Sequence, residues 1–170
     1  MTFAWNGMQT ALEHVFHEAT GIPFTWEESI RRIPRTPIGV LSLGQSIPVG
    51  RDRHRYTFRD SDISLDLYGY RELTINVQIR ARLAKSAPSS RVLAEKARLM
   101  LANPIYRDEL RSAGLVFVET HPLLHLDFSR TRRKELRSTF DVVFRLMLKE
   151  QQTWKGDGYF EQIDTSGYVI

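Results

Sequence analysis

From Met8 onward the apolar residues recur at intervals of three and four, through Ala11, Leu12, Val15, Phe16 and Ala19, which draws one stripe down an amphipathic helix. Gly21 offers a left-handed cap and Pro23 forbids continuation, so the helix is expected to end near Thr20 and pass into an extended segment, Ile22 to Trp26. Glu27 to Pro37 mixes charge with prolines and reads as a loop, after which Ile38, Val40, Leu41 and Leu43 predict a strand. Arg51 to Phe58 would continue as an edge strand, and simple alternation then sets Arg51, Arg53 and Arg55 on one face. The plainest strand pattern runs from Leu73 to Ala81, where Leu73, Ile75, Val77, Ile79 and Ala81 alternate with Thr74, Asn76, Gln78 and Arg80.

Ala84 to Ser89 breaks that strand. Ser89 or Ser90 can cap a second helix whose buried stripe is expected to include Val92, Leu93, Ala97, Met100 and Leu101. Asn103-Pro104 interrupts it, and a shorter helix through Tyr106 and Leu110 follows, capped by Gly114, before Leu115 to Val118 returns to the sheet. After a proline-containing turn and a basic run, Phe140, Val142, Phe144, Leu146 and Leu148 alternate with Asp141, Val143, Arg145, Met147 and Lys149, a second long strand. The two long strands should form the sheet centre, with helices over the apolar face. Val143 and Met147 on the other face point to a further contact there, a second subunit being one candidate. The fold class expected is α+β, a mostly antiparallel sheet flanked by an N-terminal and a central helix. Residues 1–170 are expected to form one domain, with a C-terminal tail from about 156 to 170.

Composition narrows the chemistry. A hydrophobic fraction of 42% and a charged fraction of 26% are ordinary for a chain that folds in water. No apolar run approaches the ~18 residues of a membrane helix, and the opening residues lack a basic start and apolar stretch, so no membrane is expected and the protein should be made in the cytoplasm. Cysteine is absent, which removes disulfides and thiolate chemistry together. The net charge of +4 and pI of about 9.6 are a mild excess, and Arg dominates Lys, as suits fixed bidentate contacts with carboxylates or phosphates.

The ten glycines form neither a phosphate loop nor a dinucleotide fingerprint. His14 and His17, beside Glu13 and Glu18, have a helical i,i+3 spacing that could share a metal, but a solvated helix face is the favoured reading. His121 and His125, with Asp127 nearby, have i,i+4 spacing, yet Pro122 argues for an extended loop there instead of a helix. None of the lysines follows an acid by two residues, and no Gly-x-Ser-x-Gly elbow occurs. An enzyme is therefore not expected, and no cofactor or metal is. The strongest charge feature is Arg130-Thr131-Arg132-Arg133-Lys134, with Arg137 after it. It reads first as a solvated loop, next as a source of salt bridges to a neighbouring subunit, and third as a contact for nucleic-acid phosphates. The series Arg51, Arg53, Arg55 ranks the same way, and neither cluster is interleaved with aromatics as a stacking platform would be.

Several of these strings, in order, carry a resemblance: Ala19 to Trp26 at the first helix end, the Pro37 to Leu43 strand, Gly69 to Gln78, Leu110 to Leu115, the late strand Phe140 to Leu148, and Gly158-Tyr159-Phe160-Glu161. Together they resemble the tail-terminator-like neck proteins of long-tailed bacteriophages. The resemblance implies a virion protein that forms a hexameric ring at the head–tail interface, stops growth of the tail tube and docks the head connector. It implies tail-tube protein and connector or adaptor protein as partners, with genomic DNA passing through the channel and touched without sequence preference. It brings no catalytic residues. A connector adaptor one layer higher, or a small nucleic-acid-binding protein, are the alternatives. Arg51, Arg53, Arg55, Arg130, Arg132 and Arg133 are the expected contacts with neighbouring subunits or the DNA backbone.

Overall fold

The computed structural model describes residues 5–30, 36–59, 62–82, 88–130 and 133–155, with the backbone alone at 59, 62, 127–130, 133–135, 150 and 152–155. The elements run α1 (Trp5–Thr20), β1 (Phe24–Trp26), a 3-10 turn (Glu27–Ser29), β2 (Ile38–Arg59), β3 (Asp62–Arg82), α2 (Ser90–Met100), α3 (Pro104–Ser112), β4 (Val116–Thr120), β5 (Leu124–Arg130) and β6 (Arg133–Lys155). This is an α+β fold around a six-stranded mixed sheet of order β1-β2-β3-β6-β4, with β5 also pairing β6. All pairings are antiparallel except the short parallel one between β1 and β2.

The first helix forms as its stripe requires: Met8, Leu12, Val15 and Phe16 are buried, and Gly21, at φ 72°, closes the helix through its N–H to the His17 carbonyl at 2.7 Å. Ser89 caps α2 by accepting from the Val92 N–H at 3.3 Å, and Asn103 caps α3 with Pro104 at its first position. The buried stripe of α2 is Ser90, Leu93, Ala94 and Ala97, with Leu101 buried just beyond. The sequence reading had Val92 inside; it faces solvent, because the helix docks on the sheet through its small residues one position round.

The three helices cover one face of the sheet. Their apolar residues share a single core with Phe24, Trp26, Leu41, Leu73, Ile75, Val77, Ile79, Phe140, Val142, Phe144 and Leu146. Phe16 stacks on Phe24 with centroids 5.3 Å apart, and Phe24 lies over Gly39, where a Cβ would enter its aromatic ring. At the far end Ser90 of α2, Ser138 of β6 and His125 of β5 form a hydrogen-bonded chain, 2.8 Å and 2.9 Å, with both serines fully buried. It ties the helix layer to the sheet with polar groups that satisfy one another.

The opposite face is polar along the predicted rows. Asn76 donates to Asp141 at 2.7 Å and to Thr139 at 3.0 Å, and Glu72 pairs with Arg145. Val143, read as a hint of a subunit contact, is buried within the chain, whereas Met147 is exposed beside the equally exposed Tyr70.

The strand lengths differ most from the sequence reading. The segments expected at 73–81 and 140–148 are the inner parts of strands of 21 and 23 residues, and β2 runs unbroken through both segments read from the sequence. The continuation of β6 carries no alternation, with Glu150, Gln151, Gln152 and Thr153 in succession, whereas β3 keeps apolar residues at Ile63, Leu65 and Leu67.

Candidate assembly surface

The core on β3 stops at Leu73 and on β6 at Leu146, yet β3 continues back to Asp62 in unbroken register with β6 as far as Lys155, and with β2 out to Arg59. Beyond the helices the sheet is therefore a three-stranded arm, made by residues 46–59, 62–72 and 147–155. Its eleven residues of β3 span about 35 Å at ~3.3 Å per residue. At its base β2 slips register between Leu43 and Ser46, and again between Val49 and Arg53. Gly50 takes φ 78° inside the second slip, a conformation that favours glycine. Asp52, extruded by that slip, receives both terminal nitrogens of Arg71 at 2.6 and 2.7 Å. The pair crosses directly over Gly69, where any Cβ would collide with the Asp52 carboxylate. Arg71 holds the Asp52 carboxyl below its ordinary range, chiefly through the hydrogen bonds, which outweigh the opposing effect of desolvation, with its charge adding a smaller lowering.

The two faces of the arm differ. On the face continuous with the helix-covered core stand His54, Tyr56 and Phe58 of β2 and Ile63, Leu65 and Leu67 of β3, as the pairs His54–Leu67, Tyr56–Leu65 and Phe58–Ile63 require. Tyr56 and Phe58 are 53% and 71% exposed, and the His54 and Tyr56 rings meet edge to face at 5.7 Å. On the other face Arg53 and Arg55 stand in rows with Tyr68 and Asp66, and Lys149 reaches Asp66 at 3.6 Å.

The arginines expected to line one face are thus only partly aligned. Arg53 and Arg55 share a face, while Arg51 falls inside the register slip and outside that alternation. All three are exposed, and among the described residues no acid pairs with them. Arg130 and Arg133 pair with each other across the β5–β6 hairpin, so strand reaches into the basic run from both sides at that hairpin's tip. Arg132 and the side chains of Arg130 and Arg133 lie outside the described residues. That tip extends β6 past the end opposite the arm, so the two arginine clusters sit at opposite ends of the sheet.

The histidines separate. His14 bonds Glu109 of α3 at 2.7 Å, and His17 turns to the Ile22 carbonyl at 2.9 Å. His121 lies between Glu119 and Asp141 at 3.7 and 4.0 Å, while His125 is a strand residue bonded to Ser138. Among the described residues no group of three or more metal-ligating side chains converges, and no helix is long and apolar enough to cross a membrane.

The sequence reading missed the arm. The signal that could have shown it is the alternation of Ile63, Leu65 and Leu67 with Ser64, Asp66 and Tyr68, in phase with Leu73 onward. Compared with known proteins, the chain has no match among the curated ones. A family model described as phage neck terminator protein matches residues 6–168.

Proposed function

The chain belongs to the phage neck terminator family, and on that premise we propose that it works as a closed ring, six copies of one domain spanning residues 1–170, which ends the tail tube and offers the head connector its docking surface. Membership makes the protein a structural component of the virion at the head–tail junction, where it meets tail-tube and head-connector components. The closed ring, its copy number and the contacts of individual residues belong to the proposal.

The observation that carries the ring is the arm. Among the described residues helices cover only about half the length of the sheet and leave two uncovered faces, and a subunit gains by covering them with another copy. Repeated head-to-tail contact between different patches closes when the rotation fits, and closure sets the copy number. Exposed Arg53 and Arg55 on the polar face of the arm, Arg51 at its base, and Arg130, Arg132 and Arg133 at the opposite hairpin are suited to acidic patches on neighbours. Where they face the channel they would touch the DNA backbone without reading sequence.

The test is the mass of the purified protein by light scattering over a range of concentration, alone and with tail-tube protein. A hexamer in either condition supports the ring. A monomer that ignores tubes sinks it and moves weight to a connector adaptor. Alanine at Arg130, Arg132 and Arg133 together is expected to lower the yield of joined particles, and unchanged assembly would remove those residues from the contact.

A further inference from the structure

We infer that the apolar face of the arm, centred on Tyr56 and Phe58, docks on the outer stripe of α2 and α3 of the next copy, formed by Val92, Leu99 and Ile105. This rests on the ring reading and names the contact that would build it.

The first support is continuity of the sheet face. Ile63, Leu65 and Leu67 follow the same alternation as Leu73, Ile75, Val77 and Ile79, and in the body that face is covered by helices presenting apolar stripes. The arm repeats the pattern, and among the described residues no helix lies above it. The second support is a matching surface. Val92 and Leu99 lie seven residues apart on α2 and so share one side of it, and Ile105 opens α3 directly after. They are 49%, 72% and 73% exposed, on helices whose other sides are buried.

The third support is distance. Arg107, in the first turn of α3, lies over the Phe117 ring; Phe117 pairs with Phe144 and Phe144 with Leu73, which stands ten residues from Ile63 on one continuous strand, about 33 Å at ~3.3 Å per residue. The start of α2 lies farther still, its Ser90 bonded to Ser138, which pairs with Ile79. A chain's own arm cannot fold back to its own helices without breaking the sheet, so the partner of one patch is the other patch on a different copy. Such a contact is head-to-tail, the kind that closes into rings.

The areas agree with this. Taking 150–250 Å² for a whole aromatic side chain, Tyr56 and Phe58 leave about 200–300 Å² uncovered at their exposures, and the half-buried Ile63, Leu65 and Leu67 enlarge the patch. That is a suitable apolar centre for an interface of ~800 Å² per partner whose rim is polar. A monomer would keep two such patches in water, one on the arm and one on the helix layer.

The chain contains no cysteine, so introduced thiols report without background. Full-length protein carrying Phe58→Cys and Leu99→Cys together, treated with a short bis-maleimide in the assembled state, is expected to give a denaturant-resistant ladder of covalent multimers rising to the copy number of the ring. Either substitution alone should give none. In parallel, Phe58→Asp is expected to shift the assembled protein to monomer mass while its circular dichroism and urea midpoint stay within error, since Phe58 contributes little to the monomer core.

Rings of normal mass that yield no ladder would overturn the docking contact and leave the ring reading intact. Covalent dimers from Phe58→Cys alone would show two arms meeting each other, which also overturns it. A cross-link confined to single chains would place the partner patch on the same copy and refute the distance argument. If the unmodified protein is monomeric alone and on tubes, the ring reading and this contact fall together.

Discussion

Ser138 gives the sharpest test of how the helix layer is held on the sheet. Its hydroxyl is fully buried and bonds both Ser90 of α2, at 2.8 Å, and His125 of β5, at 2.9 Å. Ser138→Ala removes both bonds and leaves the Ser90 hydroxyl, also fully buried, with no partner at the full cost of desolvation, about 1–3 kcal/mol. Ser90→Ala is milder, about 0.5–1.5 kcal/mol, because Ser138 keeps its bond to His125. The double variant should cost no more than Ser138→Ala, since the orphaned group is gone and exposed His125 can turn to water. The two substitutions are therefore non-additive by about 1 kcal/mol, well outside the ~0.3–0.5 kcal/mol scatter of independent sites. Urea unfolding of all four proteins, at one fixed concentration so that self-association does not enter, measures the cycle. In thermal scans each kcal/mol appears as roughly 2–4 °C for a chain of this size. Additivity within that scatter would show that the serine pair is not the joint between α2 and β6, and the reasoning from burial would fail.

Three further outcomes follow from single sites. Gly39→Ala drives a methyl into the Phe24 aromatic ring, which is backed by Phe16, so the chain should lose about 1–3 kcal/mol; a thermal midpoint within 1 °C of the parent's, about the measurement error, would mean Phe24 moves aside freely. Burial pushes the Glu13 carboxyl above its usual value of 4.5, only partly offset by a hydrogen bond from the Trp26 backbone. The fold therefore loses stability as pH rises through that raised value, and Glu13→Gln should be more stable than the parent at neutral pH, with the advantage vanishing below pH 4.5; equal urea midpoints across the range would contradict it. Asp52 carries the opposite sign. Its lowered pKa contributes stability that is present above the ordinary value of 3.8 and lost as pH falls through the lowered one, so Asp52→Asn should flatten the acid end of the stability profile; an unchanged acid limb would show that the Arg71 pair holds nothing.

Taken by itself, the sequence determined the parts of this protein whose physics is local. The stripe of Met8, Leu12, Val15 and Phe16, the stop at Gly21-Pro23, the cap at Ser89, one of the two serines read for it, the break at Asn103-Pro104, and the alternation on both sides of Ile75 and Val142 each follow from neighbours a few residues away, and each is found where it was read. The order of such segments also carried the resemblance that the family match upholds. Where tertiary structure decided, the deciding contacts are distant in the chain. Whether Val92 faces in or out depended on how small residues let α2 approach the sheet. The alignment of Arg51 with Arg53 and Arg55 depended on a register slip set by pairing with β3 and by the Asp52–Arg71 bridge. The arm depended on three strands from separate stretches staying in register beyond the last helix, and its apolar rows read as weak signals because no helix among the described residues completes them. The two halves of the proposed contact, the apolar rows of the arm and the outer residues Val92, Leu99 and Ile105, are parted in the fold because the helices pack on the core end of the sheet.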